Sequence, residues 1–224
     1  MNRYEFGNKD SSNILIQPVD DRDLTWMDNE IAAIRQAAGS DFALIAYGVP
    51  DWNNDLSPWE APAVFGDKAF GCGGKITLDR ILSDIKNDKV KDDSKRYYLG
   101  GYSLAGLFAI WAGYQTDMFR GIAAASPSIW FPGFSDYMKK EEFKSDKIYL
   151  SLGDREEKTR NPVTSRVGDC IRAAEKHFLD KGIDTVLEWN KGNHFKDVDL
   201  RTARAFAWLL EKDGRTGCPN KDPS

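Results

Sequence analysis

The chain has 224 residues, of which 41% are hydrophobic and 29% charged, a composition that supports one folded domain and excludes a disordered or low-complexity chain. With 31 Lys and Arg against 35 Asp and Glu, the net charge of -4 lacks the basic excess of a nucleic-acid-binding protein. Three scattered cysteines (Cys72, Cys170 and Cys218) do not form a disulfide framework or a thiolate zinc site. No stretch approaches the roughly 18 apolar residues of a membrane helix, and the amino terminus has no apolar signal core, so we expect a cytoplasmic protein without a membrane partner.

Short apolar runs alternate with segments of helical periodicity, and Gly, Pro, Asp or Asn bounds each run. The predicted strands cover residues 14–19, 42–48, 97–101, 121–125, 147–152 and 185–189. The predicted helices cover residues 24–38, 76–87, 104–114, 163–181 and 200–211. This alternation predicts a single α/β domain over residues 1–213, with a mostly parallel sheet and helices on both faces, followed by a polar tail over residues 214–224.

Two long loops interrupt the alternation, at residues 49–74 and 126–146. Loops of this length in a compact domain usually serve function. Both are rich in aromatic residues, so we expect Trp52 and Trp59 in the first loop, with Trp130 and Phe131 in the second, to wall a substrate pocket. Packing of these large apolar groups under the loops is the equal alternative.

The stretch YYLGGYSLAGLFAIWA predicts a strand, a sharp turn and an amphipathic helix. The turn reads Gly101, Tyr102, Ser103, Leu104 and Ala105, which matches the G-x-S-x-G pattern of a nucleophile elbow except that alanine replaces the last glycine. Small residues are needed there because the backbone is strained and closely packed. The pattern favours Ser103 as a nucleophile, and the alternative is that its hydroxyl only caps the helix.

A serine hydroxyl needs a base to remove its proton, and the chain has two histidines. His177 lies in a predicted amphipathic helix, which indicates a surface position. His194 lies between the last strand and the last helix, where a loop can bring an imidazole over the strand ends. His194 is therefore the predicted general base.

A carboxylate must orient that histidine, and in the chain order Ser, acid, His it should follow the strand at residues 147–152. The loop there reads GDREEKTRNP. Asp154, Glu156 and Glu157 all qualify by residue type, so the residues themselves leave the choice open.

Four segments, GGYSLAG, SPSIW, LGDREE and GNHF, resemble the esterase branch of the α/β-hydrolase superfamily that includes S-formylglutathione hydrolase, the feruloyl esterases and the enterobactin esterases. The resemblance runs from about residue 42 to residue 210 and implies an α/β-hydrolase fold without a separate lid domain. It favours Glu156, three residues after Gly153, as the triad acid. It also implies that the amides of Val49 and Leu104 form the oxyanion hole. The chain is short for this family, with room for only one or two strands before residue 42.

The predicted function is that of a serine esterase, which cleaves a small carboxylic ester through an acyl-enzyme on Ser103. His194 would act as base and then acid, and Glu156 would orient it, with no cofactor or metal required. Two alternatives keep the same residues. One is an acyltransferase that uses the same acyl-enzyme, and the other is a catalytically inactive hydrolase-like binding protein.

Overall fold

The structure is a computed structural model that describes residues 1–64, 66–89 and 94–215. Its strands form one seven-stranded sheet, in the order β1-β3-β2-β4-β5-β6-β7. The strands are β1 (Asn2–Gly7), β2 (Asn13–Val19), β3 (Ala43–Gly48), β4 (Arg96–Tyr102), β5 (Phe119–Ala125), β6 (Lys147–Gly153) and β7 (Asp184–Asn190). Strand β1 runs antiparallel to β3, and the other neighbouring strands pair in parallel.

Helices cover both faces of this sheet, as predicted. They are α1 (Asp21–Ala38), α2 (Trp52–Asp55), α3 (Gly74–Lys89), α4 (Leu104–Gln115), α5 (Phe134–Lys140), α6 (Val167–Asp180) and α7 (Val198–Arg215). A 3-10 turn, Thr164–Arg166, precedes α6. One hydrophobic cluster joins the sheet to α3, α4 and α6, for example through Leu78, Leu107 and Ile171. A second cluster lies with α1 and α7, through Met27 and Phe206.

The six predicted strands and five predicted helices are confirmed, with shifts at their ends. Strand β1 escaped prediction because it is an edge strand whose residues are exposed or half-buried, so it lacks the apolar run by which a buried strand is recognised. Each long loop also contains a short helix, α2 in the first and α5 in the second. The last helix continues to Arg215, and residues 216–224 of the predicted tail lie outside the described part of the chain.

Strand β4 holds the central position in the sheet and leads directly into α4. Its neighbours pack closely, because a side chain at Gly100 would lie 2.6 Å from the Ala123 Cβ and 2.7 Å from the Phe206 ring. The residue after β4 is therefore held at the carboxyl end of the sheet, where parallel α/β sheets carry their ligand sites. Among the described residues, no helix is both long and apolar enough to span a bilayer.

Candidate active site

Ser103 occupies the turn between β4 and α4 with φ 57° and ψ -118°, a left-handed conformation that is costly for a residue other than glycine. Small neighbours make this turn possible. A Cβ at Gly101 would lie 2.6 Å from the Ala105 Cβ, so the alanine that replaces the usual glycine is accommodated by the missing side chain of Gly101. The Ser103 side chain makes no capping hydrogen bond to α4, and its hydroxyl is directed elsewhere.

Ser103, His194 and Glu156 form a continuous chain of hydrogen-bonding contacts. His194 Nε2 lies 3.0 Å from Ser103 Oγ, and His194 Nδ1 lies 2.7 Å from Glu156 Oε2. The three residues come from the loops that follow β4, β7 and β6. The carboxyl ends of parallel strands thus bring together side chains that are far apart in sequence.

Of the three carboxylates considered from the sequence, Glu156 is the one that contacts His194. Asp154 is exposed and accepts a hydrogen bond of 2.8 Å from the Gly192 amide. Glu157 pairs with Arg172 at 3.3 Å on the surface.

The second oxygen of Glu156 is held by three donors. Oε1 accepts hydrogen bonds from the Gly153 amide at 2.7 Å, the Ser126 hydroxyl at 2.8 Å and Arg201 Nη1 at 3.0 Å. Burial raises the pKa of this carboxyl, but the hydrogen bond and charge of His194, with the Ser126 and Gly153 donors, outweigh burial and leave the pKa below its ordinary value. Glu156 is therefore ionised at neutral pH.

Arg201 and Tyr102 hold Glu156 and the His194 backbone in place. Arg201 is fully buried, and its Nη1 donates to the Tyr102 hydroxyl at 3.0 Å. That hydroxyl donates in turn to the His194 carbonyl at 2.7 Å. Burial, followed by the Glu156 charge, raises the pKa of Tyr102 to about 12, so the hydroxyl keeps its proton.

Sequence reasoning missed Arg201, although the sequence carried a signal for it. Arg201 shares a helical stripe with Ala205 and Leu209, four and eight residues later, and both are fully buried. A charged residue on an apolar stripe indicates a buried ion pair, because an isolated charge there would be costly. Ser126 and Ser128 carried a weaker signal, as polar residues directly after a buried strand beside β4.

Ser128 places a second hydroxyl beside Ser103. It is 3% exposed, its Oγ lies 3.3 Å from Ser103 Oγ, and its amide donates to the Ser103 carbonyl at 2.9 Å. Ionised Glu156 can only accept, so neutral His194 carries its proton on Nδ1 and accepts at Nε2. Ser103 then donates its one proton to His194, and Ser128 must be the donor in the contact between the two hydroxyls.

The two amides expected to form the oxyanion hole differ in their availability. Leu104 is the first residue of α4, and the first amides of a helix have no acceptor within the helix. The Val49 amide donates to the Val19 carbonyl at 2.9 Å. Val49 is therefore not free to bind an oxyanion in this structure, and that prediction is corrected.

Ser103 and His194 open into a cavity of about 710 Å³. Its walls come from the loops after β5, β6 and β7 and from the start of α6. The lining residues other than Ser103 and His194 are Ser126, Pro127, Ser128, Trp130, Arg155, Glu156, Lys158, Thr159, Arg160, Thr164, Val167, Asn193 and Phe195. Trp130 is the one predicted pocket aromatic among them.

The other three predicted pocket aromatics lie elsewhere, which corrects that prediction. Phe131 is 2% exposed and packs edge-on against Phe70 and Trp59. The Trp59 indole N–H donates to the Pro132 carbonyl at 2.9 Å. These contacts fasten the two long loops to each other, so the aromatic groups serve packing. Trp52 lines a separate cavity of about 450 Å³ beside β1.

The second histidine and the two described cysteines do not line the Ser103 cavity. His177 lies in the last turn of α6, where burial lowers its pKa. Cys72 is an exposed free thiol, and burial raises the pKa of the Cys170 thiol, which makes it less reactive. Cys218 lies outside the described residues. In the described part of the chain, no group of three His, Cys, Asp or Glu side chains is placed to hold a metal ion.

Solved structures share this architecture at low sequence identity. An IroE-like serine hydrolase from Shewanella oneidensis matches with a TM-score of 0.75 and 13% identity, over 93% of this chain and 75% of that one. The siderophore hydrolase EstA from Aspergillus nidulans matches with a TM-score of 0.69 and 16% identity, over 94% of both chains. The enterobactin esterase FES from Shigella flexneri matches with a TM-score of 0.65 and 13% identity, over 94% of this chain and 55% of that one.

No protein-family model and no curated protein sequence matches the chain. The sheet order, the placement of the helices and the structural neighbours show the α/β-hydrolase fold that the sequence predicted.

Proposed function

We propose that the protein is a serine hydrolase that cleaves carboxylic esters through an acyl-enzyme on Ser103. The observation that carries the proposal is the chain of contacts from Ser103 Oγ through His194 to Glu156, 3.0 and 2.7 Å long, which opens into the 710 Å³ cavity. A nucleophile, a base and an orienting acid in this geometry are the parts that acyl transfer requires.

In the first step, Ser103 Oγ attacks the ester carbonyl carbon while its proton passes to His194 Nε2. The imidazolium that forms is stabilised by ionised Glu156 at Nδ1. The tetrahedral intermediate then collapses, the bond to the alcohol oxygen breaks, and His194 returns the proton to the departing alcohol. Water then attacks the acyl carbon while one of its protons passes to His194 Nε2. The bond to Ser103 Oγ breaks, His194 returns the proton to Ser103, and the acid is released.

The anionic oxygen of the intermediate needs donors, each worth about 10²- to 10³-fold in rate. We assign the Leu104 amide to this role, because it adjoins the nucleophile at the start of α4. With the Val49 amide bonded to Val19, the buried Ser128 hydroxyl is the second donor, since it already faces Ser103 Oγ at 3.3 Å.

The comparison with solved structures also supports the proposal, through the described activities of proteins with the same fold. The neighbours with the same fold are described as serine hydrolases, siderophore hydrolases or esterases, although identities of 13 to 16% carry the fold alone. Siderophore-type esters accordingly belong in a substrate panel beside simple aryl esters.

The test is hydrolysis of p-nitrophenyl acetate by wild type, Ser103→Ala, His194→Ala and the control Ser135→Ala, which removes an exposed hydroxyl on α5. We expect each active-site variant to lower kcat/KM by at least about 10³-fold and the control to match wild type. A fluorophosphonate probe should add one adduct to wild type and none to Ser103→Ala. Full hydrolysis by Ser103→Ala would sink the proposal. Product analysis in the presence of an added alcohol separates hydrolysis from acyl transfer. Release of the free acid alone indicates hydrolysis, and formation of a new ester with the added alcohol indicates acyl transfer.

A further inference from the structure

One wall of the cavity is strongly basic. Arg155, Lys158 and Arg160 lie in the loop between β6 and the 3-10 turn, and all three line the cavity that contains Ser103. All three are exposed to solvent. The whole chain carries a net charge of -4, so a cluster of three cations beside the nucleophile runs against the average charge of the protein.

The same short loop contains three acids, and none of them forms an ion pair with these cations, although, after the Gly192 amide, the charges of Arg155 and Lys158 help to lower the pKa of Asp154. Asp154 accepts the Gly192 amide at 2.8 Å, Glu157 pairs with Arg172 at 3.3 Å, and Glu156 holds His194. Acids and bases are thus interspersed along the loop, and Glu156 is the one acid among them that lines the cavity.

Arg155, Lys158 and Arg160 have no ion-pair partner within the ranges that the structure describes. The acidic residue of the cavity lining is Glu156, which is 4% exposed and lies 3.0 Å from Arg201. Its charge is therefore directed into the protein and does not neutralise the three cations. A bound molecule would meet a positive wall.

Part of the remaining lining is apolar, beside polar residues such as Thr164 and Asn193. Pro127, Trp130 and Val167 form this apolar part, together with Phe195, which is 78% exposed. The Phe195 ring meets the His194 ring edge-on at 5.4 Å, at the edge of the reacting centre. An exposed aromatic ring at this place offers a surface for an apolar portion of a substrate.

We infer that the preferred substrate is an ester that carries an anionic group, such as a carboxylate, which binds against Arg155, Lys158 and Arg160. The inference rests on the proposed esterase function and adds the substrate class. Guanidinium groups pair well with carboxylates and phosphates, and unpaired cations at a cavity also raise the encounter rate of anions. The apolar body of such an ester would lie toward Trp130 and Phe195.

The experiment compares matched esters that differ in one charge. Mono-p-nitrophenyl adipate and its methyl ester place the charge on the acyl side, and 4-acetoxybenzoate and its methyl ester place it on the alcohol side. Each rate is divided by the rate of hydroxide hydrolysis of the same ester. We expect kcat/KM to favour the anionic member by roughly tenfold in at least one pair, since each exposed charge pair contributes modestly.

The variant Arg155→Gln/Lys158→Gln/Arg160→Gln should reduce that anionic-to-neutral ratio to near one. The matched control Lys75→Gln/Lys139→Gln/Lys176→Gln removes the same charge from helix surfaces where each lysine pairs with an aspartate, and it should keep the wild-type ratio. Rising salt should lower the wild-type ratio, because exposed charges are screened. Fluorophosphonate labelling and circular dichroism establish that each variant is folded with Ser103 reactive.

Equal normalised rates within both ester pairs would overturn the inference and leave the esterase proposal standing. A wild-type preference that survives in the cavity variant would also overturn it, because the selectivity would then reside elsewhere. Absence of hydrolysis of all four esters and of p-nitrophenyl acetate would instead refute the proposed function.

Discussion

Arg201 Nη1 lies 3.0 Å from Glu156 Oε1, and the two side chains are 0% and 4% exposed. The same nitrogen donates to the Tyr102 hydroxyl, which holds the His194 carbonyl. One buried cation therefore fixes both the acid beside the His194 ring and the backbone that carries that ring.

Replacing Arg201 with methionine should strand the Glu156 charge in the interior. We expect a loss of about 3 to 5 kcal/mol in the free energy of unfolding, measured in urea, and a fall in kcat. The control Arg172→Met removes exposed pairs with Glu157 and Asp169 and the contact with the Trp189 ring, and it should cost only about 1 kcal/mol. Adding Glu156→Gln to Arg201→Met should restore part of the lost stability. Equal losses from the two arginine variants would contradict the prediction.

The role of the Ser128 hydroxyl can be tested with two substitutions, threonine and valine, whose side chains have nearly the same shape. Threonine keeps the hydroxyl and valine replaces it with a methyl group, so Ser128→Val should have a kcat roughly 10- to 100-fold below that of Ser128→Thr. The reason is that the role proposed for the Ser128 hydroxyl, which lies 3.3 Å from Ser103 Oγ, is to donate to the anionic carbonyl oxygen of the intermediate. Similar KM values would show that the loss lies in the chemical step. Equal kcat values would exclude the hydroxyl from catalysis.

Trp130 and Phe131 are adjacent in sequence, and their substitutions should separate binding from stability. Phe131 is buried among Phe70 and Trp59, so Phe131→Ala should cost about 3 to 5 kcal/mol in urea unfolding. Trp130 lines the Ser103 cavity, and Trp130→Ala should raise KM for aryl esters at a smaller cost in stability. A Phe131→Ala protein with wild-type stability and an altered KM would restore Phe131 to the pocket.

Glu30 should make the protein less stable as pH rises. It is 4% exposed beside Gln17, and burial raises its pKa from 4.5 to about 8. Between these values the folded state retains a proton that the unfolded state releases, so stability falls by up to roughly 1.4 kcal/mol per pH unit.

Removing this ionisable group should flatten that part of the pH profile. The free energy of unfolding of Glu30→Gln should rise relative to that of wild type as pH increases from 5 to 8. The exposed control Glu142→Gln should show no such relative rise. Urea unfolding at the two pH values measures the difference, and parallel pH profiles for wild type and Glu30→Gln would contradict it.

The proposed nucleophile and the proposed base could both be chosen from local sequence. Ser103 is marked by the small residues that its turn requires, and with only two histidines, the helical pattern around His177 leaves His194. The choice of Glu156 depends on donors from Gly153, Ser126 and Arg201, which three separate segments bring together. Residue type and spacing could not rank it above its neighbours without a resemblance to known esterases.

The errors have a common physical origin. Whether the Val49 amide is available depends on the carbonyl of Val19, which the sheet places opposite it. Whether Phe131 faces a cavity or another ring depends on how two long loops meet. Both are tertiary contacts between distant segments, and neither leaves a periodic pattern in the chain.

The loop after β6 is fastened to the protein through its acids, at Asp154, Glu156 and Glu157. The side chains of its bases line the cavity, and the backbone of Arg155 also helps to hold the loop, through a hydrogen bond of 3.1 Å to the Gly192 carbonyl. Evolution could therefore exchange Arg155, Lys158 or Arg160 one at a time while the loop and the reacting groups stay in place. A change at one of these positions would alter the charge of the cavity without removing a contact of Glu156 or His194.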